Sequence, residues 1–363
     1  MRARLVIPVL LAAMAIVTAA DRIGRATMPG PKPGPSAEPR STHQVGFPDL
    51  LRGWSVPADN PQTPAKVELG KALFFEPRLS VDNTVACASC HDPGKGFTDR
   101  QATSDGAHMK TGERNAPTIV NAIFNIDQFW DDREPTLEAQ AGDPILNPIE
   151  MRMPDRQTVV STLNSISEYQ TEFQAVFGAA PNYDDMTKAI TAYEWTQLGF
   201  DSPCDHFMAG DENAITAQQK HGWAIFNGQG RCMSCHGWNP TRPLFTDDRF
   251  HNIGVSAHKS NFVPLARQAL DELVKGASAQ DLDRLAIQTD MSGLGRFLVT
   301  KQPHDIGAFR TMGLRNLYVG QFGILSGRGS FIGTSTAVPA SKATAPGASP
   351  CETSPSVTRT WSS

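Results

Sequence analysis

Cys87-Ala88-Ser89-Cys90-His91 and Cys232-Met233-Ser234-Cys235-His236 decide how this chain is read. Each is a C-x-x-C-H string, the attachment signature of a c-type haem. The two thiols add across the haem vinyl groups, and the adjoining histidine binds iron from one face. At this chain's Cys and His frequencies, one accidental match arises in about one of four hundred such sequences, so two together are not accidents. A bare C-x-x-C also suits half a zinc site or a redox dithiol, but a histidine directly after both copies disfavours each. The expectation is two covalently bound haem c groups, one on Cys87, Cys90 and His91, the other on Cys232, Cys235 and His236.

The 363 residues are enough for two domains of ordinary size. Apolar residues make up 40%, which suffices for globular cores, while 27 Pro and 30 Gly imply many loops. A formal net charge of −4 gives no support for nucleic-acid binding and is compatible with a basic electron-transfer partner. Residues 1–20 run from a basic start at Arg2 and Arg4, through an apolar stretch, to Thr18-Ala19-Ala20. That is the pattern of a secretory signal peptide, and its apolar stretch is short for a spanning helix, which needs about 20 residues. Export to the periplasm fits the haem motifs, because c-type haem is attached outside the cytoplasm.

Pro64 at a helix start, followed by Val67, Leu69, Leu73 and Phe74, predicts a helix leading to the first motif. Val159, Leu163, Ile166, Phe173 and Phe177 suit helices with one buried face. A further helix is expected from Asp184 to Leu198, stopped by Gly199, and another from Leu265 to Lys275, closed by Gly276. Thr216-x-x-Gln219 reads as a capping box opening the helix that carries Trp223, Ile225 and Phe226. Strand signals are sparse. The expected organisation is a signal peptide at 1–20, a flexible Pro/Gly-rich leader at 21–46, helical domains at 47–205 and 206–325, and a disordered tail at 326–363.

Around the first motif stand Leu69-Gly70-Lys71-Ala72-Leu73-Phe74-Phe75-Glu76-Pro77-Arg78-Leu79-Ser80 and Gly96-Phe97-Thr98-Asp99. Arg114-Asn115-Ala116-Pro117-Thr118, Phe129-Trp130-Asp131-Asp132-Arg133, Leu137-Glu138-Ala139-Gln140-Ala141 and Glu150-Met151 follow. After the second motif come Phe245-Thr246-Asp247-Asp248-Arg249-Phe250-His251-Asn252-Ile253-Gly254, Gly295-Arg296-Phe297, Asp305-Ile306-Gly307-Ala308-Phe309-Arg310-Thr311 and Leu314-Arg315-Asn316. In this order the strings resemble the bacterial di-haem cytochrome c peroxidase and MauG superfamily, from about Phe47 to Leu317.

The resemblance implies a mostly α fold of two cytochrome c-like helical domains, each with one covalent c-type haem, long loops and few strands. It implies a haem peroxidase that reduces hydrogen peroxide to water with electrons from a small c-type cytochrome or cupredoxin, and it allows a homodimer. The N-terminal haem would meet peroxide. Gln140 and Glu150 match the distal pair, Glu150 moving protons and Gln140 holding the peroxide. Trp130 matches the tryptophan between the haems, and Pro144 the distal proline of MauG-like proteins. His108 stands near the histidine that caps the resting haem in peroxidases, and is a candidate distal ligand. Asn115 matches a contact to a calcium ion, which takes six to eight oxygens.

The Phe-His-Asn-Ile-Gly string and Pro144 lean toward a MauG-like oxidase that modifies another protein, the leading alternative. His251 would be a supporting residue. After Asn316 the superfamily's A-P-Y segment, which supplies the far-side ligand of the second haem, does not follow. Gly323 and Ile324 occupy its ligand positions, leaving Met312 and Tyr318 as substitute candidates. The expectation is a truncated second domain, from a shifted reading frame or shortened gene. A non-catalytic di-haem electron carrier or a decayed peroxidase is the third alternative.

Overall fold

The computed structural model describes residues 57–317 apart from 201, 239–243, 258, 260, 290 and 316. The signal-peptide, leader and tail assignments, Tyr318, Gly323 and Ile324 lie outside the described residues. Among the described residues no helix is long and apolar enough to cross a membrane.

The described chain is mostly helical, and its one two-stranded sheet pairs β1 (Phe250–His251) with β2 (Phe309–Arg310) antiparallel, Phe250 opposite Arg310. Helix α1 (Pro64–Phe74) begins as its sequence dictates, with Pro64 in the first turn and the Thr63 side chain accepting from Lys66 N–H. That arrangement loses nothing, because first-turn amides have no helical partner.

The haem-motif turn α2 (Cys87–Cys90) follows, then α3 (Leu137–Leu146), α4 (Arg156–Asn164), α5 (Ser167–Phe177) and α6 (Tyr183–Glu194). A cluster including Leu69, Leu73, Phe74, Ile145, Val159, Leu163, Phe173, Met186 and Ile190 forms the first core. Helices α1 and α6 meet so closely that a Cβ on Gly70 would lie 1.8 Å from the Ala189 carbonyl oxygen. Only glycine allows that approach.

Helix α6 stops at Glu194, four residues before the Leu198 that periodicity predicts. Asn121 explains the early stop. Held at φ +65°, it accepts from Gly199 N–H through Oδ1 and donates through Nδ2 to the Gly199 carbonyl. Its backbone N–H also bonds the Gln197 carbonyl, so the chain is drawn off its helical path.

The remaining helices are α7 (Pro203–Met208), α8 (Ala217–Asn227), α9 (Phe262–Val274), α10 (Ala279–Thr289) and α11 (Phe297–Thr300). The capping box is present in both directions: Thr216 Oγ1 accepts from Gln219 N–H, and Gln219 Oε1 accepts from Thr216 N–H. Helix α9 starts three residues before the expected Leu265 and is closed by Gly276 at φ +85°. Helices α9–α11 pack around Ala269, Leu282, Met291, Leu294 and Phe297. A separate cluster joins Cys204 and Phe245 to Met208, Trp223, Phe226, Trp238 and Leu314.

Candidate haem centres and the contact between them

Helix α2 is a single turn, so Cys87 and Cys90 fall on one side of it and His91 caps its end. All four motif cysteines are free thiols, as haem attachment requires. His91 Nδ1 donates to the Phe97 carbonyl at 3.2 Å, which leaves Nε2 to carry the ring's lone pair. Burial pulls this imidazole below its usual pKa and so favours the neutral form that binds metal. The second motif repeats the device. His236 Nδ1 donates to the Phe245 carbonyl at 3.0 Å. The donor sets therefore fit two haems.

The resemblance extends to backbone detail that neither motif shows. Phe97 and Phe245 both sit at positive φ, +61° and +58°, conformations that favour glycine. Each begins a Phe-Thr-Asp turn closed in the same way. Thr98 Oγ1 accepts from Arg100 N–H and Asp99 Oδ1 from Gln101 N–H. Thr246 Oγ1 accepts from Asp248 N–H and Asp247 Oδ1 from Arg249 N–H. The turns aim the Phe carbonyl at the histidine ring. The signal was present in the sequence as a repeated Phe-Thr-Asp, masked because the first follows its histidine by six residues and the second by nine.

Beside the first motif, Gln140 and Pro144 share a face of α3 at (i, i+4) spacing. The chain after α3 folds back along the helix end: Met151 N–H donates to the Pro144 carbonyl and Met153 N–H to that of Ile145. Glu150 lies in this return. Its carbonyl accepts from Ala107 N–H at 2.7 Å, and Oε1 accepts from Asn147 Nδ2 at 3.2 Å. A Cβ on Gly106 would meet the Ile149 carbonyl oxygen at 2.0 Å, so the loop can seat Glu150 only with glycine there.

Desolvation pushes the Glu150 carboxyl up to about 7, Arg133 opposing and Asp143 reinforcing the shift. Arg133 is already committed: it binds Asp143 and Asp131 and lies over the Phe129 ring at 3.3 Å. Glu150 also acts on the Cys90 thiol, which burial pushes up to about 11. The acid is thus within electrostatic reach of a haem-attachment cysteine.

His108 faces Asp82. Its side chain is 56% exposed, its N–H and Nδ1 both face Asp82 Oδ2 at 2.7 and 3.3 Å, and its φ is +55°. Asn115 turns its amide nitrogen to the Gln101 carbonyl at 2.7 Å. The Thr311 carbonyl accepts from Thr246 Oγ1 at 2.5 Å. His251 Nε2 pairs with Asp247 Oδ2 at 2.8 Å, and with Cys235 Sγ these atoms lie within 4.8 Å of one another. Met312 belongs to the stretch held against residues 244–249: Thr311 N–H donates to the Arg249 carbonyl and Leu314 N–H to that of Leu244. This is the segment whose Phe245 supports His236 from behind.

Trp130 lies where the motif-bearing halves touch. Its Nε1–H donates to the Arg310 carbonyl at 2.9 Å, and Arg310 N–H returns a bond to the Trp130 carbonyl at 3.1 Å. The indole stacks on Phe309 with ring centroids 4.1 Å apart. Arg310, its side chain 3% exposed, reaches Asp132 at 2.8 Å and Asp248 at 3.7 Å. Arg114 joins Asp131 to the Ser292 carbonyl, and Arg296 donates to the carbonyls of Asp131 and Asp132. Phe129 and Asp132 both hold positive φ, a strained turn that such a clamp over-determines. Sequence periodicity could not reveal these arginines, because their partners are remote in the chain.

A family model described as "Di-haem cytochrome c peroxidase" matches residues 64–213. Cytochrome c peroxidase Ccp of Escherichia coli (strain K12) is 42% identical over 262 residues, 72% of this chain and 50% of that protein. The chain thus spans half the length of that relative. Cytochrome-c peroxidase IdrP1 of Denitromonas iodatirespirans is 37% identical over 278 residues, covering 74% of this chain and 70% of that one. Among solved structures, a MauG-like protein associated with microbial copper homeostasis superposes with a TM-score of 0.59 at 26% identity, covering 75% of each chain.

Proposed function

This chain belongs to the di-haem cytochrome c peroxidase family, and from that membership we propose that it reduces hydrogen peroxide to water in the periplasm. Cys87 and Cys90 would hold the first haem covalently with His91 on its iron, and Cys232, Cys235 and His236 the second. The bound haems supply the iron that meets peroxide at His91 and receives electrons at His236, from a small c-type cytochrome or cupredoxin. The chain's own residues do the rest. Glu150 takes a proton from one peroxide oxygen and returns it to the leaving oxygen, while Gln140 orients the substrate without competing for protons. Trp130 provides the contact through which electrons cross between the halves. Asn115 offers one side-chain oxygen to a calcium ion.

The observation that carries this reading is Glu150, a carboxyl titrating near neutrality beside a haem-attachment cysteine. A group that both accepts and returns a proton works best with a pKa near the operating pH. The test is peroxide-dependent oxidation of a reduced small cytochrome by the holoprotein and by Glu150→Gln. Wild-type turnover lost in the variant supports the assignment, and unchanged turnover removes Glu150 from the mechanism. No wild-type turnover with both haems attached sinks the enzyme reading in favour of a di-haem carrier.

The MauG-like alternative has its own support in the superposed MauG-like structure and in His108, which faces Asp82 on the surface. Turnover without one-electron pre-reduction would favour it. A requirement for pre-reduction would favour a capped first haem and return His108 as the ligand.

A further inference from the structure

Glu194, the last residue of α6, is an acid that the mechanism above does not use. It is 3% exposed, and its Oε2 finds no hydrogen-bond partner among the described residues. Thr191 Oγ1, one turn earlier on the same helix face, is equally unpartnered. A buried carboxylate in that state bears its full desolvation cost. The charge acting on it is that of Glu138 on α3, which has the same sign.

The surroundings offer little relief. Glu138 is tied through Asn60 to Lys66 on α1, since Asn60 Nδ2 donates to Glu138 Oε1 and Lys66 Nζ donates to Asn60 Oδ1. The neighbouring Tyr193 hydroxyl is itself pushed up to about 12, as burial and the charges of Glu194 and Glu68 require. The carboxyl is accordingly driven up to about 8, and a positive charge placed beside it would lower that value toward neutrality.

The location gives that carboxyl a use. Cys87 packs against the core to which α6 contributes Ile190 and Tyr193, and the charge of Glu194 acts directly on the Cys87 thiol. Cys87 is the first attachment cysteine. Glu150 acts on the second, Cys90, so the two raised carboxyls serve opposite ends of one haem-attachment turn. We infer that Glu194 is a second proton-holding carboxyl of the first haem centre, taking up a proton when that haem is reduced and releasing it when the haem is oxidised.

The step balances simply. One electron from the donor protein and one proton from solvent arrive together, and both leave on oxidation. Reduction removes one positive charge from the haem, which strengthens the hold of a nearby carboxyl on its proton. Peroxide reduction consumes two electrons and two protons. Glu150 would move a proton at the peroxide, and Glu194 would keep charge balanced beside Cys87. The inference rests on the reading that haem is attached at Cys87 and His91.

The test is spectroelectrochemical titration of the His91 haem in holoprotein carrying Glu150→Gln, which removes the other raised acid that acts on the attachment cysteines. From about pH 6 to 9 the midpoint potential should fall as pH rises, because protons stabilise the reduced form. The reduction equilibrium should shift by up to tenfold per pH unit, about 59 mV for one electron. Adding Glu194→Gln should flatten that slope, and the same slope with and without Glu194 would overturn the inference. Turnover bears only on Glu150 and is measured separately. Should the double variant lose haem, redox-difference infrared spectra of Glu150→Gln alone decide. A protonated-carboxyl band that appears on reduction and moves in Glu194→Asp supports Glu194, and a spectrum without such a band overturns it.

Discussion

The two haem motifs share one supporting turn but are set in different surroundings. Behind the first, α1 buries Leu69, Leu73 and Phe74 against α6, and both cysteines are drawn up to high pKa by burial, to about 12 and about 11. Behind the second, the corresponding helix α8 has no fully buried residue, and Cys232 is exposed. Trp223 and Phe226 of α8 stack on each other and pack edge-on against Phe245, a small aromatic cluster in place of a helix pair. The supporting turn is therefore a transferable part that fixes the histidine, whereas burial is what gives the first centre its acids. Desolvation raises Glu150 and Glu194 because α3, α6 and the 147–153 return close around the first motif. On the proposed reading, the proton chemistry of the first centre uses that closure, and electron entry at the second is served by an exposed edge.

The sharpest way to break this contrast is Glu150→Gln, expected to lower peroxide turnover by about 10²–10⁴-fold, the usual worth of a positioned acid–base group. Absorbance of the His236 haem should be unchanged. The same residue sets a pH limb. Its folded pKa is raised from 4.5 to about 7, and it must be ionised to accept a proton, so turnover should fall as pH drops through about 7. A limb that persists in the glutamine variant would assign it to another group. Arg310→Met tests the joint between the halves. Removing one partner of a buried pair costs about 3–5 kcal/mol, because buried Asp132 loses the guanidinium that faces it. Thermal unfolding should register that loss, and stopped-flow electron transfer between the haems should slow as Trp130 loosens. Gly106→Ala should cost about 1–3 kcal/mol by overpacking against Ile149 and Glu150, and turnover should fall with it. An alanine variant with full stability and turnover would mean that the loop does not seat Glu150.

Local signals are legible in the residues alone. The two motifs, the Pro64 helix start and the Thr216–Gln219 capping box all depend on neighbours within a few residues, where spacing carries the physics. Features set by distant partners are not legible. The end of α6 is decided by Asn121, more than seventy residues earlier, and no periodicity in the helix itself contains that information. Phe97 and Phe245 occupy positive φ, where composition points to Gly, and their role lies in a carbonyl that every residue possesses. Glu194 reads as one more polar residue near a helix end until the structure shows it buried, with no hydrogen-bond partner for its Oε2 among the described residues. His108 stands close to His91 in sequence, and its contact with Asp82 depends on a loop path that spacing does not reveal.

The matched pair Thr98→Val and Thr246→Val sharpens the comparison at the part the halves share. Each threonine accepts a backbone N–H across its turn, and valine keeps the shape while leaving that donor unpaired. Such a loss costs about 1–3 kcal/mol where water cannot replace the bond and less where it can. Thr98 is fully buried, so its variant should lose the larger amount and shift the spectrum of the His91 haem as the Phe97 carbonyl drifts. Thr246 is half-buried but also donates to the Thr311 carbonyl, which ties the second turn to the strand carrying Arg310. Its variant should be milder in stability yet also slow electron transfer between the haems. Equal losses at both positions, with no effect on transfer, would mean that the turns act alike and that burial around them does not distinguish the two centres.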